Sequence, residues 1–520
     1  MKFKNYFVSI IITCFLSSAI NAQDTTAFRY ASCITGSSLN KHLSVLASDS
    51  LEGRETAEPG MIKAANYVAS QFATMGLTPV NNTYFQTVPL INFVNAKASL
   101  KIAGKELTTD SDFFIADAPV LTSLNESEIF FAGYGIVDTL SGWKDYQTLD
   151  VSGKVVVIMD GEPIDKNGNS LITKSQEKSG WNNDRNRKIQ LLKATNPKAI
   201  IFVSLDYKKV YERFKRRLEH GRLELDTEQN SKTIPVIYVS RETAGKLLEQ
   251  STSINTIEKN IARKKKPNTF TVKTPLEINI ALEKTSCTNV LGFVEGNSLK
   301  DEVIIISAHL DHLGKRGDKI YYGADDDGTG CSSILEIASA FATAKNEGVG
   351  PERSILFVTF TAEEKGLLGS EYYTMNPVFP LDKTVANLNI DMIGRVDTIA
   401  RPSEKYTYLI GSDKLSKQLH TINETVNGSC CQLQLDYKYN DPSDKLKLYY
   451  RSDHYNFAKN NIPVIFYFTG LHEDYHKPTD TIDKIDFDKT AAIARLVFNT
   501  AWELANRKDR IIVDVVNDFK

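Results

Sequence analysis

Between residues 307 and 481, four short stretches bring histidine and carboxylates to the ends of apolar runs, and a fifth sets three aspartates just before a helical stretch. They are Ala308-His309-Leu310-Asp311-His312, Gly323-Ala324-Asp325-Asp326-Asp327-Gly328, Thr361-Ala362-Glu363-Glu364-Lys365, Asn389-Ile390-Asp391-Met392 and Asp474-Tyr475-His476-Lys477. Imidazole nitrogens and carboxylate oxygens are the donors that zinc takes, and carboxylates gathered without a counter-charge repel one another. A single histidine is more often a hydrogen-bonded structural residue, and a single Glu-Glu pair a solvated surface. Their joint appearance points instead to a metal site, and the triple aspartate in its glycine-rich turn is the extreme case.

The elements that must position these residues are readable from the same region. Residues 303–309, 354–360, 385–393 and 463–468 are nearly continuous apolar runs, as expected of strands covered on both faces. Residues 330–344 carry Ile334, Leu335, Ile337, Ala338, Phe341 and Ala342 at helical spacing, 367–375 read as helical, and 488–505 as an amphipathic closing helix. Strands alternating with helices predict an α/β fold, a three-layer α/β/α sandwich with a mixed, largely parallel sheet. Ligands of open α/β sheets bind beyond the carboxyl ends of the strands, which is where the histidines and carboxylates fall.

Two other textures precede this region. Residues 25–93 are mainly helical, with 46–60 (LASDSLEGRETAEPG) reading as a turn-rich connector. Residues 115–262 read as short β-branched strands, with one helical stretch at 184–194, in a compact β-rich module without metal-ligand or nucleophile spacing. The expected organisation is a signal peptide at 1–22, the amino-terminal part of the catalytic domain at 23–114, the inserted module at 115–262 and the main catalytic domain at 263–520.

Composition bounds the function classes. A chain of 520 residues exceeds one ordinary core, and a net charge of −2 argues against nucleic-acid and membrane-surface partners. The basic runs at 208–222 and 263–266 read as solvated faces. Lys2 and Lys4, the apolar run to Ile20 and a small residue at Ala22 form a secretory signal, which places the mature chain in the periplasm or outside the cell. No integral membrane segment is expected after its removal. The cysteines left, Cys33, Cys287, Cys331, Cys430 and Cys431, make no regular disulfide framework and no CxxC zinc pair, with one bridge left open.

The motifs SAHLDHLG, GADDDGTG, FTAEEKGLLGS, NIDMIG, RSDHYNF and DYHKPTDT, in that order, resemble the catalytic domain of the di-zinc aminopeptidase and glutamate carboxypeptidase family of exported peptidases. The stretches FFAGYGIVD, DVSGKVVVIMDGEP and IPVIYVSRETAGKLL resemble a protease-associated domain inserted in such enzymes, and LASDSLEGRETAEPG is similar to members that carry it. The resemblance implies two Zn²⁺ per chain: one held by His309 and Asp391, the other by Glu364 and His476, with Asp326 bridging both. It implies Glu363 as general base, Asp311 hydrogen-bonded to the outer nitrogen of His309, and Tyr475 as a donor to the oxyanion. Charge supports the set, because two divalent ions are balanced by Asp326, Glu364, Asp391 and one bridging hydroxide.

The function so implied is an exopeptidase acting on peptides, an aminopeptidase by first choice. A carboxypeptidase or dipeptidase, a glutaminyl-cyclase-like acyltransferase using one zinc, and a non-catalytic binding relative are the alternatives. Asp453 and His454 read equally as structural or catalytic. Arg451 could meet a substrate carboxylate or an acidic neighbour, His312 is not expected to be a ligand, and Cys331 reads as a small helix-packing residue.

Overall fold

In the strand Leu299–His309, the side chains of Ile304, Ile306 and Ala308 enter one core, and those of Val303 and Ile305 enter another. Arg353–Phe360 repeats the pattern, with Ile355 and Phe357 on one side and Leu356, Val358 and Phe360 on the other. Successive side chains of a strand point to opposite faces, so a strand covered on both must be apolar throughout. The helices Pro59–Thr74, Gly330–Asn346 and Phe487–Asn506 pack on the first face. Leu368–Met375 and His454–Lys459 contribute Tyr373 and Phe457 to the second. This computed structural model, which describes residues 25–146, 150–219, 222–228, 232–248, 253–398 and 405–517, is the expected three-layer sandwich. The signal segment 1–22 lies outside the described residues.

Arg353–Phe360, Leu299–His309, Thr384–Ile390 and Val464–Phe468 lie side by side in that order, each parallel to its neighbour. Their carboxyl ends therefore open on one edge, with His309 opposite Phe360 and Ile390 opposite Tyr467. The pairing turns antiparallel outside this block. Leu276–Val294 runs antiparallel to both Arg353–Phe360 and Phe85–Ile102, and Tyr406–Ile410 runs antiparallel to Val464–Phe468. The 11-stranded sheet is thus mixed, and its parallel pairs are concentrated where the site residues emerge.

A second sheet, of six strands, lies between Phe113–Asp117 and Thr269–Val272 in the chain, with Val155–Met159 and Ala199–Val203 at its centre. It is richer in helix than its sequence texture suggests. Arg185–Lys193, which reads as helical in sequence at 184–194, and Tyr207–Glu219, which does not, are crossovers between parallel strands, and Arg241–Leu247 and Ile254–Lys264 follow. Tyr207–Glu219 lays Tyr207, Val210, Tyr211 and Phe214 on the sheet at helical spacing, an amphipathic helix within the basic run that reads in sequence as a solvated face.

Cys430 and Cys431 are joined by a disulfide, and Cys33, Cys287 and Cys331 are free. Among the described residues no helix is long and apolar enough to cross a membrane.

Candidate metal centre

The triple aspartate occupies a tight turn from Ala324 to Thr329 that leads directly into the helix Gly330–Asn346. Gly323 sits at φ +53°, and a Cβ there would lie 2.1 Å from the Asp326 carbonyl oxygen and 2.5 Å from the His312 ring. A Cβ on Gly330 would lie 2.4 Å from both carboxylate oxygens of Asp327. Only glycine permits these approaches. The peptide bond between Asp326 and Asp327 is cis.

The three carboxylates face different ways. Asp325 accepts hydrogen bonds from Gly394 N at 2.7 Å and Thr329 Oγ1 at 3.1 Å, and its other oxygen lies 3.3 Å from His472 Nε2. Asp327 accepts from Gly330 N at 2.9 Å, Met392 N at 3.2 Å and His309 N at 3.2 Å. Both flanking residues are thereby committed to holding the turn and the neighbouring strand ends. Asp326 instead turns Oδ1 toward His309 Nε2 at 3.1 Å and Oδ2 toward His476 Nε2 at 3.2 Å. Its backbone N–H and that of Asp325 donate to the buried carboxylate of Asp480.

Two donor triads meet at Asp326. In one, His309 Nε2 lies 3.5 Å from Asp391 Oδ1; in the other, His476 Nε2 lies 3.2 Å from Glu364 Oε2. Donors around a tetrahedral zinc at bond lengths of 2.0–2.2 Å are about 3.3 Å apart, so these separations suit the ion. Asp326 Oδ2 and Glu364 Oε1 are buried without a hydrogen-bond partner in the protein, the condition of atoms that a cation would satisfy. The residues present therefore fit a pair of metals.

Electrostatics separate the roles of the carboxylates. Burial works against ionisation of Asp326, but His312, His309 and His476 hold it well below the usual carboxylate range. Against burial and the Asp326 charge, His312 and His476 bring Glu364 down to about 2. Glu363 goes the other way, pushed well up by burial and by Glu364 and Asp391, with His309 opposing. A carboxylate with raised proton affinity beside two that stay ionised is an arrangement for proton transfer.

His312 lies inside the cluster rather than at its margin. Its donor atoms and those of Asp326 and Glu364 come within 4.8 Å of one another, with Nδ1 only 2.9 Å from Glu364 Oε1. That is the Glu364 oxygen His476 does not face. Asp327 also comes near His309 and Asp391, but its oxygens are already taken by backbone amides.

Asp311 departs from expectation. The outer nitrogen of His309 faces the backbone carbonyl of Asp311 at 3.0 Å, while the Asp311 carboxylate stands 3.9 Å away. That carboxylate accepts from Glu363 N at 3.0 Å and Thr56 Oγ1 at 2.8 Å. Two donors draw the side chain toward the Glu363 loop, and the nearer carbonyl takes its place at the imidazole. Asp391 is oriented by Ser452 Oγ, which donates to Oδ2 at 2.7 Å.

Tyr475 stacks on the His476 ring at 3.8 Å, and its hydroxyl oxygen accepts from Arg451 at 3.1 Å, which leaves the phenol proton free to be donated. Both residues line an open cleft with His309, Glu363 and Asp391, and Met392, Leu448, Phe466, Phe468 and Leu471 supply its apolar lining. His454 is packed against Phe466 and Tyr449 and is pushed down to about 3 by burial, a neutral packing residue. Burial raises Asp453 to about 7. Cys331, fully buried in its helix, donates to the His309 carbonyl oxygen.

The sequence did not single out Arg54, Thr56, Ser452 or His472. Arg54 is 1% exposed and donates to the carbonyls of Leu46, Leu310, Tyr322 and Gly323. It thus binds together the two loops that carry His309 and Asp326. Arg54→Leu leaves those carbonyls without a donor and should cost roughly 3–5 kcal/mol, on the scale of a broken buried charged contact. The check is the midpoint of urea unfolding, and an unmoved midpoint would contradict the assignment.

The profile of peptidase family M28 matches residues 289–501. A probable leucine aminopeptidase of Trichophyton verrucosum is 29% identical over 223 residues, 42% of this chain and 57% of that protein. Aminopeptidase YwaD of Bacillus subtilis is 25% identical over 238 residues, 44% of this chain and 47% of that protein. The matches thus span about half the length of these curated relatives. Among solved structures, an aminopeptidase from Aneurinibacillus sp. strain AM-1 aligns over 94% of this chain and 98% of its own, at 16% identity and a TM-score of 0.48. The segment 289–501, which resembles peptidase family M28, supplies all five residues of the two donor triads, which share Asp326, together with their neighbour Glu363.

Proposed function

We propose that the protein is an exported zinc-dependent aminopeptidase that removes amino-terminal residues from peptides. The observation that carries this reading is Asp326, whose two oxygens lie 3.1 and 3.2 Å from imidazoles delivered by different strands. His309 and Asp391 would hold one Zn²⁺, Glu364 and His476 the other, and Asp326 both. When bound, such paired metals polarise the scissile carbonyl and acidify the attacking water.

The chain's own residues supply the rest. Glu363, 4.0 Å from His309 Nε2, takes the proton of the attacking water and returns it to the leaving amine. The Tyr475 hydroxyl donates to the oxygen on which negative charge develops. Asp311 holds the backbone of Glu363. The apolar wall of the cleft suits an apolar amino-terminal side chain, in keeping with the name of the leucine aminopeptidase relative. The second donor triad favours hydrolysis over a single-zinc acyltransferase. Residues 115–262 act as the protease-associated module that their motifs resemble, and the signal at 1–22 directs export.

The test combines a metal count with a substrate profile. About two zinc ions per chain are expected, as in paired-metal hydrolases. Peptides with a free amino terminus should be cleaved and their amino-acetylated counterparts should not. Efficient turnover of the blocked peptides would overturn the aminopeptidase reading.

A further inference from the structure

Arg54, Glu55 and Thr56 lie more than two hundred positions before the family-matched segment, yet their turn meets the site repeatedly. Arg54 O accepts from His312 N at 3.1 Å, and Gly53 O accepts from Gly314 N at 3.0 Å, so the turn is laced along the loop after His309. Glu55 accepts from Lys365 at 3.0 Å, beside the Glu363-Glu364 pair, and from Arg316 at 2.6 and 2.9 Å. Thr56, 4% exposed, donates from Oγ1 to one oxygen of Asp311, whose other oxygen accepts from Glu363 N.

The Asp311 carboxylate has two possible directions. One is the pair of donors it uses, and the other is His309 Nδ1, 3.9 Å away. With one oxygen held by Thr56 and the other by Glu363, rotation toward the imidazole is blocked. Removing the hydroxyl leaves one anchor, and the carboxylate can swing toward His309 and release the Glu363 amide. Catalytic groups tolerate little displacement, since misplacement by about 1 Å can cost up to ~100-fold in rate.

We propose that Thr56 is a positioning residue for Glu363, acting through Asp311, so that the amino-terminal turn is part of the reaction machinery. This rests on the aminopeptidase reading for its kinetic arm alone; the structural arm stands without it. The experiment compares Thr56→Val, which keeps the shape and loses the hydroxyl, with Thr56→Ser, which keeps the hydroxyl, in the full zinc-loaded chain. Hydrogen exchange of the Glu363 amide should accelerate about tenfold in Thr56→Val and stay slow in Thr56→Ser, as expected when a local opening replaces a fixed bond. On a free-amine peptide, Thr56→Val should lose about tenfold in kcat, with KM within about twofold and zinc content unchanged. Adding Thr56→Val to Asp311→Asn should cost nothing further, because both act on one tether.

Unchanged Glu363 exchange in Thr56→Val overturns the proposal, as does a Thr56→Ser protein equally impaired or a fully additive double variant. Should Thr56→Val fail to fold, Thr56→Cys, which supplies only a weak donor, takes its place with the same expected exchange. A wild-type chain without peptidase activity would refute the function while leaving the exchange result to decide the tether.

Discussion

Replacing Asp326 by alanine is expected to release both metals together, taking zinc from about two ions per chain to well below one and abolishing measurable peptidase activity. The expectation rests on the division of its two oxygens between separate imidazoles, at 3.1 and 3.2 Å, on separate strand ends. No other carboxylate in the turn can substitute. Asp325 commits Oδ1 to Gly394 and Thr329 and turns Oδ2 to His472, while Asp327 accepts from Gly330, Met392 and His309. The neighbouring variants should accordingly fail differently: Asp327→Ala strips acceptors from buried backbone amides and should lower stability, by roughly 1–3 kcal/mol for each donor left unpaired. Zinc measured by elemental analysis after gel filtration, together with urea unfolding, separates the two behaviours. An Asp326→Ala protein that keeps two zinc ions would refute the shared-ligand assignment.

Glu363→Gln should lower kcat by about 10²- to 10⁴-fold, the usual contribution of a positioned proton-transfer group, with zinc content unchanged. The amide keeps the shape of the side chain but cannot take a proton. Glu364→Gln should do the reverse, weakening metal retention first, because Glu364 faces His476 while burial and its neighbours raise only Glu363 toward a proton acceptor. Adjacent residues can differ in this way because Ala362, at φ +56°, turns the chain sharply as the strand Arg353–Phe360 ends. Single-turnover rates with metal analysis on the same samples provide the check. A Glu363→Gln enzyme within tenfold of the wild-type kcat would exclude Glu363 as the base.

Much of this architecture is local information. The runs around Val303, Leu356, Leu388 and Ile465 announce doubly covered strands by carrying few polar positions and no alternation, and the helix after Gly330 announces itself by its apolar spacing. The region of the six-stranded sheet was less legible because the lysines and arginines of 208–222 read as a solvated run, although Tyr207, Val210, Tyr211 and Phe214 recur among them at helical spacing. Asp480 lay within a quoted motif, yet nothing in its neighbourhood foretold that it would accept the backbone amides of Asp325 and Asp326 more than 150 positions earlier.

The sequence alone determined which chemistry is possible and roughly where: four donor-bearing stretches after apolar runs, an acidic turn among glycines before a helix, and the order of motifs along the chain. Those follow from residue type, side-chain periodicity and the freedom of glycine, each of which is a property of a few consecutive residues. The tertiary structure decided which oxygen faces which partner. It turned the Asp311 carboxylate from His309 to Glu363 and Thr56, brought His312 beside Glu364, and set Arg54 under the loops of the metal centre. Such choices depend on donors that arrive from strands and turns hundreds of positions apart, and a buried carboxylate goes to the donors that actually reach it.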